Sequence, residues 1–270
     1  VRRNGNYAAP YTIELPDENL AIPLEIEEWL VPFAPAAGLW STAQDMANYL
    51  ILQLNQGIAA SGARVVSSEN LLYTWDPKVQ IDPGATYGLG LVNEQYHGLR
   101  VMYHSGGTAG YTSEMVFLPE VGLGIIVLDN QMLSAFPMAA RIRIMELMFG
   151  LEPVYHQTLK ENTRSTRWQI TQLKLVAIKH HGLEEVSTLL GKYENEIIGE
   201  VEISLTEGGD LLFDAGEWDS LLWRLRFKKD TYIFNRGLWL GKTFKFDMTH
   251  PEKVRFTIQG NEDTYTFTKK

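Results

Sequence analysis

At 270 residues the chain is long for one domain, and 45% hydrophobic content with 11% aromatic supplies ample material for packed cores. A formal charge of −9 without a dense Lys/Arg cluster argues against nucleic acid or an anionic membrane surface as a partner. The absence of cysteine excludes disulfides, thiolate metal sites and a cysteine nucleophile, and leaves the compartment open. No apolar run approaches the ~18 residues of a membrane span, and the opening Val1-Arg2-Arg3-Asn4-Gly5-Asn6 lacks the apolar stretch of a signal peptide. An opening with neither an initiating Met nor a capping signal is expected of a chain that starts inside a larger protein.

In chain order, residues 1–35 read as irregular, broken by Pro10, Pro16, Pro23, Pro32 and Pro35. Ser41 or Thr42 caps a helix with Asp45 in its first turn and Met46, Tyr49, Leu50 and Leu54 at helical spacing up to Gly57. Ser67-Ser68-Glu69 opens a second short helix that ends near Trp75. Strands are expected over Tyr87 to Asn93 and over 99–104, 111–118 and 122–129, the last two joined by a hairpin at Pro119-Glu120-Val121-Gly122. Residues 134–149 return to helical spacing. After Gly150-Leu151-Glu152-Pro153 the chain turns polar and helix-prone through 188, with Arg164, Arg167, Lys174 and Lys179 among Leu173, Val176 and Ile178. From Leu189 onward, about eight short alternating strands separated by Gly and Asp turns suggest an antiparallel barrel or closed sandwich.

Three segments carry a family resemblance. Pro35-Ala36-Ala37-Gly38-Leu39-Trp40-Ser41-Thr42-Ala43-Gln44-Asp45-Met46-Ala47 resembles the P-A-G-G-L-x-S-T-A-x-D-[LM]-A segment of serine β-lactamase-related hydrolases, a group that includes class C β-lactamases, D-aminopeptidases, esterases and CubicO-type peptidases. Tyr87-Gly88-Leu89-Gly90 is similar to the Y-G-L-G-W strand of that group. His104-Ser105-Gly106-Gly107-Thr108-Ala109-Gly110-Tyr111 resembles its H-x-G-G-x-x-G-[FY] element, which stands where penicillin-binding proteins carry K-T-G. Downstream, Gly191-Lys192-Tyr193-Glu194-Asn195-Glu196-Ile197-Ile198-Gly199 is similar to the G-x-Y-x-N-x-x-x-G opening of the lipocalin-like barrel that often follows the CubicO-type hydrolase domain.

The resemblance implies an α+β fold: an antiparallel sheet with helices from a partial β-lactamase/transpeptidase-like domain over 1–150, a helical linker over 151–188, and an all-β lipocalin-like antiparallel barrel over 189–270. It assigns substrate-binding and oxyanion roles to His104, Ser105, Gly106 and Gly107. His104 stands in place of the K-T-G lysine, to polarise the site or hold a substrate carboxylate; Ser105 lines the groove; the Gly107 N–H is one oxyanion donor. The edge of the 99–107 strand then pairs with an extended acyl-amide. Closely spaced glycines suit that role, because no Cβ blocks the approach of a ligand to the backbone. The chemistry calls for no cofactor and no metal, and takes a small peptide, β-lactam or ester. Members of the group are often exported.

The acyl-transfer nucleophile is missing from these motifs. In the family it lies in S-x-x-K, assisted by the Tyr of Y-x-N, both ahead of the segment at Pro35. No Ser here is followed by Lys at the third position. The only Y-x-N, Tyr193-Glu194-Asn195, falls at the barrel's first strand. Ser68-Glu69-Asn70 mimics an S-x-N motif yet reads as a helix N-terminus.

Other features have bland readings. His180-His181 are adjacent, share no helix face, and read as a solvated helix end at Gly182 rather than a metal pair. Trp218, Trp223, Phe227, Tyr232, Phe234 and Trp239 could line a ligand cavity in the barrel, but small barrels fill their interiors with side chains. Arg164 and Arg167 beside Trp168 read as a solvated helix face. Two functions remain: the C-terminal portion of a serine hydrolase, inactive on its own, or a non-catalytic binding or oligomerisation module with a ligand- or partner-binding barrel. A partial hydrolase sheet is expected to leave the 122–129 side with an open edge and an uncovered apolar face, so the partner is the missing N-terminal part or a second copy.

Overall fold

The structure is a computed structural model that describes residues 5–14, 18–22, 24, 31, 34–132, 134–153, 155–157, 159–161, 164, 172, 175–216, 218–228, 230–237, 239–250, 253–259 and 264–270. The chain forms two compact units, one from Val1–Pro10 and Leu30–Lys160, the other from Tyr11–Trp29 and Glu161–Lys270. Within the stretch expected to be irregular, β1 (Tyr11–Glu14) and β2 (Glu18–Ala21) pair as a small antiparallel ribbon of the second unit, and α1 (Ala34–Ala37) is a single helical turn of the first.

The first unit holds a six-stranded antiparallel sheet ordered as it runs in the chain: β3 (Val79–Asp82), β4 (Ala85–Tyr87), β5 (Val92–Tyr96), β6 (Leu99–Thr108), β7 (Tyr111–Leu118) and β8 (Leu123–Asp129). One face is covered by α2 (Ala43–Leu54) and α3 (Ser68–Trp75), where Leu50, Leu71 and Trp75 pack on Met102 and Phe117. Thr42 caps α2 by accepting the Asp45 N–H at 3.1 Å, and Ser67 caps α3 by accepting the Asn70 N–H at 3.2 Å, so the Ser68-Glu69-Asn70 triplet is a helix start. Buried Gln53 is satisfied by accepting the Trp75 indole N–H at 2.8 Å, which ties α3 to α2. α4 (Phe136–Met148) covers the other face, Met145 packing on Val101, Val116, Leu118 and Ile125.

The expected single strand over Tyr87 to Asn93 is instead two strands broken by a turn at Gly88–Leu91. The Gly88 N–H donates to the Leu91 carbonyl at 2.8 Å, and Gly90 takes φ +83°. A Cβ on Gly88 would lie 2.5 Å from the Thr74 carbonyl, so glycine is required where the turn meets the end of α3. The hairpin at 119–122 forms as expected, closed by Leu118↔Leu123. Among the described residues β8 pairs with β7 alone, so the outer edge there is open. Its faces are covered: Gly124 lies against Leu50, and Ile125 joins the α4 cluster. The apolar excess is on α4 instead, where Phe136, Leu147 and Met148 are exposed.

The second unit is a closed up-and-down barrel. After β9 (Ala177–Ile178) and α5 (Leu183–Val186) come β10 (Gly191–Asn195), β11 (Gly199–Leu205), β12 (Leu211–Asp214), β13 (Asp219–Leu225), β14 (Thr231–Phe234), β15 (Thr243–Asp247), β16 (Arg255–Gln259) and β17 (Thr264–Lys269). Each strand from β10 pairs antiparallel with the next, and β17 returns to β10 through Tyr193↔Lys269 and Glu194↔Thr268. Strand alternation fills the interior: Phe244 and Phe246 point in while Thr243, Lys245 and Asp247 are exposed, and Phe256 and Ile258 do the same on β16. β9 hydrogen-bonds to β13, so part of the segment read as a helical linker contributes to the barrel sheet. The helix-prone residues Arg167, Trp168, Leu173 and Lys174 lie outside the described ones, and Arg164 is exposed.

Candidate functional site

The pattern of hydrogen bonds along β6 follows from its two tight hairpins. Tyr96↔Leu99 and Thr108↔Tyr111 each close over only two residues. Such a pair must be the kind that exchanges both main-chain bonds, because the other kind would need a bond between adjacent residues. Alternation then directs Leu99, Val101 and Tyr103 at β5 and His104, Gly106 and Thr108 at β7. Ladder pairing with β5 stops at Val92↔Tyr103, where the Gly88–Leu91 turn carries the chain away. The N–H and C=O groups of Ser105 and Gly107 therefore face a side of β6 on which no described strand continues. Gly107 is exposed, and no atom of a described residue lies within 4 Å of where its Cβ would stand.

The side chains of this segment divide between the two faces. On the α4 face, Ser105 donates to Glu114 Oε2 at 2.6 Å, and Arg141 Nη1 donates to Glu114 Oε1 at 2.8 Å. The Arg141 guanidinium also lies 4.3 Å from the centre of the Tyr103 ring. Glu114 is 2% exposed, so the pair is a buried charge-assisted clamp joining β6, β7 and α4. Burial, and then the Glu94 carboxylate, push the Tyr103 phenol above its ordinary range and keep it neutral. The Ser105 hydroxyl is thus spent on the clamp, and only its main chain faces the open edge.

Alternation puts His104 on the opposite side from Ser105. It is exposed, and its Nε2 lies 2.9 Å from the Tyr87 hydroxyl at the end of β4. Gly106 follows on that same face against Ser113: a Cβ there would run into Ser113 Oγ, and no other described residue comes within 4 Å. His104, Gly106 and Gly107 therefore lie along one strand end with Tyr87 beside them. Tyr87 was visible only as part of a strand motif, and the Glu114–Arg141 clamp had no sequence signal, its members being 27 residues apart.

The sequence that forms this unit matches a known family. The family model described as Beta-lactamase matches residues 2–147, just over half of the 270 residues. The chain belongs to the Beta-lactamase family. No curated protein matches it. Among solved structures it is similar to an octameric penicillin-binding protein homologue from Pyrococcus abyssi, at 16% identity and TM-score 0.46, covering 99% of this chain and 55% of that one. It is also similar to SurE with D-Leu, at 14% identity and TM-score 0.32, covering 83% of this chain and 49% of that one. The chain spans about half the length of these structures.

The remaining candidates fall away from any site. Tyr193 is buried and donates its hydroxyl to the Leu189 carbonyl at 2.8 Å, while Asn195 Oδ1 accepts the N–H groups of Ile197 and Ile198, each at 2.9 Å; this Y-x-N is strand and turn architecture. Of the six barrel aromatics, Trp218, Tyr232, Phe234 and Trp239 pack into the interior cluster. Trp223 packs with Ile233 in a separate cluster, and Phe227 is 81% exposed. The expectation of a solvated His181 is corrected. Its N–H donates to the Gly209 carbonyl at 2.7 Å, and its imidazole is buried 6.0 Å from the Tyr232 ring. Neither ring nitrogen finds a hydrogen-bond partner among the described residues, and burial pushes its pKa down. His180 instead faces Asp210 at 3.3 Å.

Proposed function

We propose that the first unit carries the acyl-binding wall of a serine hydrolase, and that the attacking serine and its base come from residues outside this sequence. The observation that carries this reading is the main-chain edge at Ser105 and Gly107, along which no described strand continues. An extended amide or ester can add there as a further strand, with its carbonyl oxygen at the Gly107 N–H. Family membership supports the reaction class. His104, held by the Tyr87 hydroxyl, offers a hydrogen bond to the far end of the substrate, and Gly106 keeps the adjoining face clear. The lack of any Ser-x-x-Lys in the 270 residues supports a nucleophile supplied from elsewhere.

The open β8 edge and the exposed apolar residues of α4 favour a partner for this unit, either the remainder of a hydrolase domain or a second copy. The barrel acts as an accessory domain in this reading, since its interior is packed with rings.

The test is fluorophosphonate labelling with turnover of a chromogenic cephalosporin and a p-nitrophenyl ester. The chain alone should show neither a labelled serine nor turnover above background. Stoichiometric labelling of any serine in this chain would sink the reading.

A further inference from the structure

One end of the barrel is stopped by the short segment that precedes it. Consecutive barrel strands alternate in direction, so the start of β10, the β11–β12 and β13–β14 turns and the end of β17 share one end. Residues 180–190, which carry α5, lie there between β9 and β10, and their Val186 and Leu189 belong to the interior cluster. Few bonds hold the segment down. The His181 N–H donates to the Gly209 carbonyl at 2.7 Å, Lys269 Nζ donates to the Thr188 carbonyl at 2.9 Å, and the Leu189 carbonyl accepts the Tyr193 hydroxyl at 2.8 Å.

His181 sits inside this closure as an ionisable group with nothing to bond. Its side chain is fully buried, and neither ring nitrogen has a hydrogen-bond partner among the described residues. Charged and titratable groups face it from each element around it. On its own segment these are His180 and Glu185, whose Oε2 lies 4.0 Å from the His181 Nδ1. From β13 comes Arg224, already ion-paired with Glu185 Oε1. From β14 comes Tyr232, whose phenol burial pushes up to about 12, so it stays neutral in acid. The β11–β12 turn supplies Asp210, engaged by His180 at 3.3 Å. Burial is the largest influence and opposes a proton on the ring, as do Arg224 and His180; Glu185 and Asp210 favour it without reversing the balance.

We propose that residues 180–190 form a proton-released cap on the barrel: neutral His181 seats it, and in acid the imidazolium leaves for water, lifting α5 while β10 to β17 stay closed. Acyl binding in the first unit plays no part in this device. The sign follows from where the proton binds better. A ring lifted into water has the ordinary pKa near 6.5, and the seated ring has a lower one, so the open form takes up the extra proton. The open population therefore grows as the pH falls below about 6.5, by up to about tenfold per pH unit, and levels off at the pKa of the seated ring. Gly191, at φ +130° where the segment enters β10, is suited to act as the hinge. Release exposes Val186, Leu189 and the interior side chains beneath them.

The chain has no cysteine, so one introduced thiol reports opening at a chosen place. Val186→Cys in the cap and Ile258→Cys on β16, both at positions with 0% exposure, are labelled in the intact chain with a dithiodipyridine across acid and neutral pH. Each rate is divided by that of a short peptide carrying the same thiol. The Val186→Cys rate should exceed the Ile258→Cys rate at every pH and rise up to about tenfold per pH unit below about 6.5. Dilute urea should speed Ile258→Cys and leave Val186→Cys unchanged, because only global unfolding exposes large surface. His181→Phe, which keeps a buried ring without a titrating group, should flatten the Val186→Cys profile, and His180→Gln should preserve it. Glu185→Gln removes a carboxylate that favours the proton and should carry the rise to lower pH. Equal rates at the two thiols, or a rise that survives His181→Phe, would overturn the cap. If His181→Phe fails to fold, the ring resonances of His181 in the unsubstituted chain decide: they must titrate over the pH range in which Val186→Cys becomes reactive, and a mismatch overturns the cap equally.

Discussion

The two units solve the problem of exposed strands in opposite ways. In the barrel every strand from β10 to β17 has two neighbours, and Tyr193, Phe213, Phe234, Phe246, Phe256 and Phe267 fill the interior with no more than 1% exposure each. Closure removes free edges, and these rings pack the interior. The sheet of the first unit is open. It spends a buried ion pair on one face of β6, and no described strand continues along the main chain of Ser105 and Gly107. The contrast is between a sheet closed on itself around aromatic rings and one in which the β5–β6 ladder stops at Tyr103.

That contrast can be broken by substitution, beginning with the largest effect. Phe256 stacks on Phe267 with centres 4.8 Å apart and also touches the Tyr193, Phe244 and Phe246 rings. Phe256→Ala should cost about 3–5 kcal/mol through the cavity it leaves. Urea denaturation followed by Trp fluorescence should show the barrel transition moving while amide resonances of the first unit hold still. Glu114→Ala leaves the Arg141 charge without its partner and frees the Ser105 hydroxyl, costing roughly 3 kcal/mol. The loss should fall on the first unit alone, read as faster hydrogen exchange along β6 and β7.

Smaller changes sharpen the comparison. Gly106→Ala sets a methyl against Ser113 Oγ, costing on the order of 1 kcal/mol, and should weaken acyl-peptide binding by more than its stability cost implies. Tyr87→Phe removes a hydrogen bond to an exposed imidazole, at no more than about 1 kcal/mol. Melting should barely change, while the His104 ring resonances shift.

pH is the gentlest probe. His181 has a folded pKa below its ordinary value near 6.5, lowered first by burial and further by Arg224 and His180, with Glu185 and Asp210 opposing. The folded barrel therefore binds fewer protons than the unfolded chain once the pH drops below about 6.5. Its stability should be fully present above that pH and decline as the pH falls toward the folded pKa. His181→Phe should flatten that part of the profile; an unchanged slope would show that other groups set it.

Much of the framework was legible before any coordinates. The alternation after Leu189 gave strands because period-two patterning with Gly and Asp turns has few other solutions, and the helix caps at Thr42 and Ser67 are local chemistry. The glycines of 104–111 fall at the end of β6, past the point where its pairing with β5 stops. Local signals missed β1 and β2 in the proline-rich opening and β9 in the polar stretch before the barrel, and misread two further places. Tyr87 to Asn93 looks continuous as a string, yet Gly88 must turn where it meets the Thr74 carbonyl. His180-His181 before a glycine reads as solvated, yet a main-chain bond to Gly209 draws His181 inward.

By itself, the order of residues determined the capped helices α2 and α3, most strands of the barrel, the lack of any Ser-x-x-Lys, and that no disulfide can form. Those properties depend on neighbours within a few positions, or on composition alone. The tertiary structure decided which face Ser105 presents, that Glu114 meets Arg141, and that Tyr111 meets Trp40. Each of these is a contact between residues separated by 9 to 71 positions. Such contacts arise only once register fixes the faces of the sheet and helices settle on them, and no local pattern encodes that outcome.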